Sequence, residues 1–279
     1  MGENIAIVTD STSDIPDELI YQYHIYVVNN IVIVEGQSLE DRKEISREEF
    51  YTKLPKLKKF PTTATASSGV YQKLYEKLFK QGISHILSIH ASSKLSGIYN
   101  AACLAAQAFG NRVQVIDSKN VTLGLGFQVI AAAEMVRKGE SLETIRSLIE
   151  CLQKRIKVVA MLDTLEYIRR SGRVNWARAR LGAILSIKPF LEIVNGEVVS
   201  LGQERTRKKG VARLVEILRN LGPLERLAIL HTNAELEAQK IIAELSAQLP
   251  FIPLSINVTT VIGSHVGPNG LGFAALLKY

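Results

Sequence analysis

Two stretches of this chain gather hydroxyl groups just ahead of helical patterns: Thr62-Thr63-Ala64-Thr65-Ala66-Ser67-Ser68-Gly69 and Ser92-Ser93-Lys94-Leu95-Ser96-Gly97. A helix start offers unpaired N–H groups and roughly half a positive charge, so neighbouring Ser and Thr side chains complete a site for a carboxylate or a phosphate. Any one of Ser67, Ser68, Ser93 and Ser96 serves equally well as a cap of its own helix. Two such loops in one chain favour an anionic head group. A third polar segment, Ile262-Gly263-Ser264-His265-Val266-Gly267-Pro268, reads as a flexible, exposed loop carrying a histidine donor. Taken alone, a loop histidine without a function is the commoner case. Gly267, Gly270 and Gly272 suit positive φ or a close approach of backbone to ligand.

Other chemistries lack their residues. Gly124 and Gly126 lie in an apolar Leu-Gly-Leu-Gly run without the Lys-Ser/Thr pair of a phosphate cradle. No Gly-x-Ser-x-Gly elbow occurs, and His24, His85, His90, His231 and His265 do not fall at metal-ligand spacing. Asp10 and Asp14 are the carboxylates of the polar loops, too few for two-carboxylate catalysis. An enzyme would have to use Ser96 or Thr63 as nucleophile and His265 as base, with Asp10 orienting that histidine. A binding protein is the better-supported class.

The elements that must position these loops are legible in outline. Asn4–Thr9 is a β pattern ending in Asp10-Ser11-Thr12-Ser13, and Pro16-Asp17-Glu18 opens a helix. Short strands at 25–28 and 31–34 precede a capping box, Ser46-Arg47-Glu48-Glu49. Helical spacing from Val70, a strand over 85–90, an alanine-rich helix over 98–109, a strand over 113–117 and long helices over 121–138 and 142–154 follow. Strands alternating with helices imply a mostly parallel sheet with helices on both faces and ligands near its carboxyl edge. The second half runs through a strand at 158–162, a helix with Arg169, Arg170 and Arg173, and two strands about Asn195-Gly196, a strong hairpin signal. A helix over 207–220, a strand over 227–232, a helix over 234–249 and a strand over 254–261 complete it. The expected fold is α/β in two domains, residues 1–156 with a mostly parallel sheet and residues 157–279 with a mixed sheet.

The 279 residues suit about two domains. With 47% apolar and 22% charged residues the chain is globular rather than disordered. No apolar run approaches the ~20 residues of a membrane span, and Met1–Asp10, with Glu3 early, does not resemble a signal peptide. A cytoplasmic protein is expected. Cys103 and Cys151, far apart and outside any CxxC pattern, read as buried thiols. The net charge of +7 leaves nucleic acid, an anionic membrane and an acidic partner open, but the basic patches at Lys56–Lys59 and Arg205–Lys209 lack interleaved aromatics apart from Phe60, which argues against nucleic acid.

At these residues the chain resembles the DegV family, specifically the fatty-acid-binding members that present acyl chains to a separate fatty acid kinase. The blocks that carry the resemblance run the whole length in the family's order: Ile7-Val8-Thr9-Asp10-Ser11-Thr12, the threonine loop before Ser67, Ser92–Gly97, Val115-Ile116-Asp117-Ser118, Leu165–Arg173, Ile187-Lys188-Pro189, Arg205-Thr206-Arg207 and Gly263–Pro268. The resemblance implies an apolar tunnel between the two domains, with the acyl chain inside and its carboxylate near the surface. Thr63, with Thr62 as substitute, Ser96, with Ser93 next, His265 and Gly267 match the carboxylate-binding positions. Arg205, Arg170 and Arg173 match partner or head-group contacts, with Arg169 and Arg207 as further candidates. The implied partners are a long-chain fatty acid and an ATP-dependent fatty acid kinase, with transient contact to an anionic membrane and none to nucleic acid. No catalytic residue, metal or cofactor besides the bound fatty acid is implied. The chain departs from the family where it reads Thr62-Thr63-Ala64-Thr65-Ala66-Ser67 without the usual Ser-Gln-Pro, and where Ile98 stands in place of a threonine.

Overall fold

The computed structural model describes residues 4–174 and 187–278, and Glu3 lies outside them. Two compact units result: residues 1–31 with 64–155, and residues 32–63 with 156–279. One break between the units falls after Arg155, and the sequence places a boundary near residue 156. The segment Val32–Thr63, which the sequence assigns to the first domain, belongs to the second unit instead. Its long-range hydrogen bonds are the reason: Tyr51 donates to the carbonyl of Val258 (3.0 Å), Thr260 Oγ1 donates to buried Asp41 (2.6 Å), and Arg47 donates to the Asn257 carbonyl.

The strands are β1 (Ile5–Asp10), β2 (Tyr26–Val28), β3 (Ile31–Val34), β4 (Gln37–Glu40), β5 (Thr62–Ala64), β6 (His85–His90) and β7 (Val113–Asp117), then β8 (Ile156–Met161), β9 (Lys188–Val194), β10 (Glu197–Glu204), β11 (Leu224–His231), β12 (Leu254–Asn257) and β13 (Leu271–Leu277). In the first unit the order β2-β1-β6-β7 is parallel throughout. β1 is buried along its whole length, as a central parallel strand covered on both faces must be. The helix Thr122–Arg137 is buried on every side over its first twelve residues, which explains its glycines: a Cβ on Gly126 would stand 2.6 Å from the Ser13 carbonyl oxygen. The Leu-Gly-Leu-Gly run is a packing surface.

The second unit has a six-stranded sheet, β10-β9-β8-β13-β11-β12, antiparallel except for β11–β12. Asn195 and Gly196 turn the β9–β10 hairpin with φ of 49° and 83°, the positive values a type I′ turn requires. Helices Arg207–Arg219 and Glu235–Ser246 close a core of Val159, Met161, Phe190, Leu214, Ile229 and Phe273. β4, β3 and β5 form a small separate sheet. β5 lies in a segment the sequence leaves as a polar stretch, and β13, central in the large sheet, is not predicted at all. The strand expected over 254–261 stops at Asn257, and a helix, Thr260–Val266, replaces the second half of it and most of the expected loop. Cys103 and Cys151 are free and partly exposed rather than buried. Among the described residues no helix is long and apolar enough to cross a membrane.

The carboxyl edge of the parallel sheet is held by one carboxylate. Fully buried Asp10 accepts from Thr12 N (3.0 Å), Thr12 Oγ1, Ala91 N (3.2 Å) and His90 Nδ1 (3.0 Å). Burial opposes its ionisation, but the hydrogen bond and charge of His90, with the Thr12 and Ala91 donors, outweigh that and hold its pKa below the usual carboxylate range. A carboxylate with a depressed folded pKa stabilises the fold above its unfolded pKa of about 3.9, and the contribution disappears as pH falls through the folded value. Asp10→Ala therefore destabilises the protein by roughly 3 kcal/mol, since it leaves several buried donors unpaired. Urea unfolding at pH 7 checks this, and a loss below about 1 kcal/mol contradicts the assigned role.

Candidate functional site: the Thr63–His265 pair

The second unit brings together two predicted residues that are 202 positions apart: Thr63 Oγ1 lies 3.0 Å from His265 Nε2. Thr63 is the middle residue of β5, and His265 sits in the last turn of the helix Thr260–Val266 rather than on a flexible loop. Both are partly buried. Neither residue caps a helix start. Where the sequence reading expects hydroxyls on helix-preceding loops, the structure pairs a strand threonine with a helix-end histidine. Burial first, and then the Arg173 guanidinium nearby, hold the His265 pKa down at about 4. The imidazole is neutral at pH 7. If Nε2 carries its proton it donates to Thr63 Oγ1, and the threonine's own proton is then free for a carboxylate oxygen.

The other predicted residues divide sharply. Thr62 is exposed on β5. The Ser93 hydroxyl gives its one proton to Asp117 Oδ2 at 2.6 Å and cannot also donate to a ligand. Ser96 accepts from Ile98 N at 3.4 Å, and its hydroxyl proton remains available. The N–H of Gly267 donates to the Gly263 carbonyl at 2.8 Å and ends the helix, so it is already committed within the fold. Arg170 pairs with Glu166 (2.9 Å) and covers the Phe60 ring. Arg207 is a structural cation held by Glu237, Asp163 and the Asn269 carbonyl. Arg205 and Arg173 are exposed. Arg205 has no polar partner among the described residues, and Arg173 reaches the Ser171 carbonyl at 2.6 Å.

Asp10 does not orient His265; its partner is His90. In the first unit Tyr75, Ser88, His90 and Asp10 form one chain: 2.8 Å from Tyr75 OH to Ser88 Oγ, 2.7 Å from Ser88 Oγ to His90 Nε2 and 3.0 Å from His90 Nδ1 to Asp10. The order mimics a nucleophile, base and acid, a signal missed in the sequence because the residues lie on two strands. All four residues are fully buried. A nucleophile needs access, so the chain is read as an internal tie between strand ends. Among the described residues no cluster of His, Cys, Asp and Glu could hold a metal. Two surface grooves of the second unit, 440 and 430 Å³, contain none of the predicted site residues.

Fold and site define a class: two-unit α/β proteins with an all-parallel and a mixed sheet and a threonine–histidine pair suited to a small acidic head group. The model described as "Uncharacterised protein, DegV family" matches residues 4–278. Protein DegV of Bacillus subtilis is 35% identical over 281 residues, covering 99% of this chain and 100% of that protein. A DegV domain-containing protein of Caldanaerobacter subterraneus is 36% identical over 275 residues, 97% and 98% of the two chains. The chain belongs to the DegV family. Two solved structures cover 99% of it and 100% of their own chains: a Thermus thermophilus DegV family protein described by its fatty acid binding (TM-score 0.90, 33% identity) and Bacillus subtilis DegV, described as a fatty acid binding protein (TM-score 0.89, 35% identity).

The depressed His265 pKa has a direct consequence. In the ligand-free protein the His265 ring is expected to titrate near pH 4 when followed by NMR, and folding stability is expected to fall as pH drops from the unfolded value of about 6.5 toward 4, because the unfolded state takes up the proton first. A midpoint at 6.5 rules out the enclosed, cation-flanked setting.

Proposed function

We propose that this protein binds a long-chain fatty acid and holds its carboxylate at the Thr63–His265 pair. The observation that carries this reading is the 3.0 Å contact itself, in a chain whose relatives of known structure at 33% and 35% identity are described as fatty-acid-binding. The energetics are adequate. Burial contributes about 0.8 kcal/mol per CH2, so a 16-carbon chain supplies roughly 12 kcal/mol gross against an association cost of about 4–15 kcal/mol. Chain burial then gives affinity. The hydroxyl and imidazole select acid over ester or alcohol, because a mismatched buried polar group costs roughly 1–3 kcal/mol.

We further propose that the bound carboxylate is presented to an ATP-dependent kinase for acyl-phosphate formation, with Arg205 and Arg173 as cations open to a partner. Arg170 and Arg207 are already engaged within the unit. Hydrolysis or acyl transfer by the chain itself is the weaker reading. Thr63 and His265 stand at nucleophile–base distance, but among the described residues no carboxylate orients the imidazole, and a pKa near 4 makes it a poor base at neutral pH.

Extraction and mass spectrometry of the purified protein are expected to show a stoichiometric fatty acid. Thr63→Val and His265→Ala are each expected to lower affinity for the acid by about tenfold and to leave the matching long-chain alcohol within about twofold. An empty protein that takes up no fatty acid from a panel overturns the proposal. Turnover of an acyl ester by the protein alone would instead establish the enzymatic reading.

A further inference from the structure

Arg170, Phe60, Tyr167 and Gly267 form a continuous stack within the second unit. The Arg170 guanidinium carbon lies 4.2 Å from the Phe60 ring centroid. The Phe60 and Tyr167 rings meet edge to face, 4.9 Å apart at 65°. The Tyr167 ring in turn lies flush against Gly267, where a Cβ would come within 2.8 Å of its Cγ. Gly267 also has φ of 79°, so a side chain there is excluded both by space and by backbone conformation.

Two members of this stack, Phe60 and Gly267, lie on the segments that carry the head-group site. Phe60 precedes Thr63 by three residues on the approach to β5, and Gly267 follows His265 by two at the helix end. Tyr167 and Arg170 come from the helix Glu166–Ser171, which packs on the helix Thr260–Val266. Edge-to-face rings and a guanidinium over a ring are directional contacts, so they fix spacing where aliphatic packing allows sliding. We propose that this stack, with Tyr167 at its centre, is the positioning device that sets the Thr63–His265 separation and thereby determines discrimination of a carboxylic acid from a neutral head group. Tyr167 is a positioning residue and makes no hydrogen bond to Thr63 or His265. Its phenol oxygen has no hydrogen-bond partner among the described residues, so the ring is the working part. The inference rests on the head-group reading of the pair.

The test compares wild type with Tyr167→Leu, Phe60→Leu and Tyr167→Phe, using palmitic acid and hexadecanol as probes and reading the His265 ring in the ligand-free proteins by NMR. Tyr167→Leu and Phe60→Leu are expected to weaken palmitic acid by about tenfold while hexadecanol stays within about twofold, and to move the His265 titration upward from its wild-type midpoint. Tyr167→Phe keeps the ring and is expected to match wild type in all three readings, which guards against general unfolding. Equal losses for acid and alcohol, or an unmoved His265 titration in both leucine variants, overturn the positioning role. Wild type that fails to prefer the acid, with a His265 titration that still shifts in Tyr167→Leu, overturns the head-group reading and leaves the stack's control of the pair standing.

Discussion

The structure of the candidate site depends on one constraint: the segment Val32–Thr63 is tied to the second unit although it interrupts the first in sequence. Tyr51 makes the tie, with its hydroxyl on the Val258 carbonyl and its ring against Gly263, while Arg47 and Asp41 bind the neighbouring Asn257 carbonyl and Thr260 hydroxyl. One side of these bonds, residues 257–260, leads directly into the helix that carries His265 in its last turn. The other side, residues 41–51, leads through Phe60 to Thr63. Without the tie, 202 residues of chain separate the two members of the pair. Packing the same segment on the first unit would leave the threonine and histidine in different bodies.

The protein contains two histidine–hydroxyl arrangements, and the difference between them separates structure from function. Around Asp10 and His90 each polar group has a partner: Tyr75 OH meets Ser88 Oγ, Ser88 Oγ meets His90 Nε2, and His90 Nδ1 meets Asp10. A closed polar chain of that kind, fully buried, rigidifies and leaves nothing to offer a ligand. At Thr63 and His265 the polar set is open. One hydrogen bond joins the two groups, the imidazole is held neutral by burial and by Arg173, and one hydroxyl proton is left over if the ring donates. Under the proposed function an acidic head group supplies the acceptor for that proton.

Much of this was legible in the sequence, and the failures share a cause. The parallel first sheet and the Asn195-Gly196 hairpin follow from local pattern, while the choice of Thr63 and His265 as candidates rests on the family resemblance. β13 was missed because Leu271–Leu277 is buried nearly end to end, and a continuous apolar run does not distinguish strand from helix. The helix carrying His265 was read as strand and loop because Val258–Ile262 is rich in β-branched residues and is followed by glycines. Tertiary contact decided otherwise: Gly263 lies where Tyr51 needs room, and Gly267 where Tyr167 does. The assignment of residues 32–63 was beyond local pattern altogether, since it rests on side chains meeting carbonyls more than 200 positions away.

The arginines show why type and motif alone overcount a binding surface. Five were candidates, and formal charge treats them alike. Arg207 is drawn into Asp163, Glu237 and the Asn269 carbonyl, where it fixes the turn that leads into β13; Lys188 reinforces the same acid at 2.5 Å. Burial disfavours its charge, but the paired acids more than compensate and raise its pKa, as expected for a cation with a structural post. Arg170 is spread over Phe60 and bonded to Glu166. A cation with satisfied partners has to lose them before it can meet a new one, and that loss offsets the gain. Exposed Arg205, without such a partner, meets an incoming anion at no such cost, and Arg173 already acts at a distance on the His265 ring. The basic surface relevant to the site therefore reduces to a few groups, set apart by what the surrounding fold has left them free to bind.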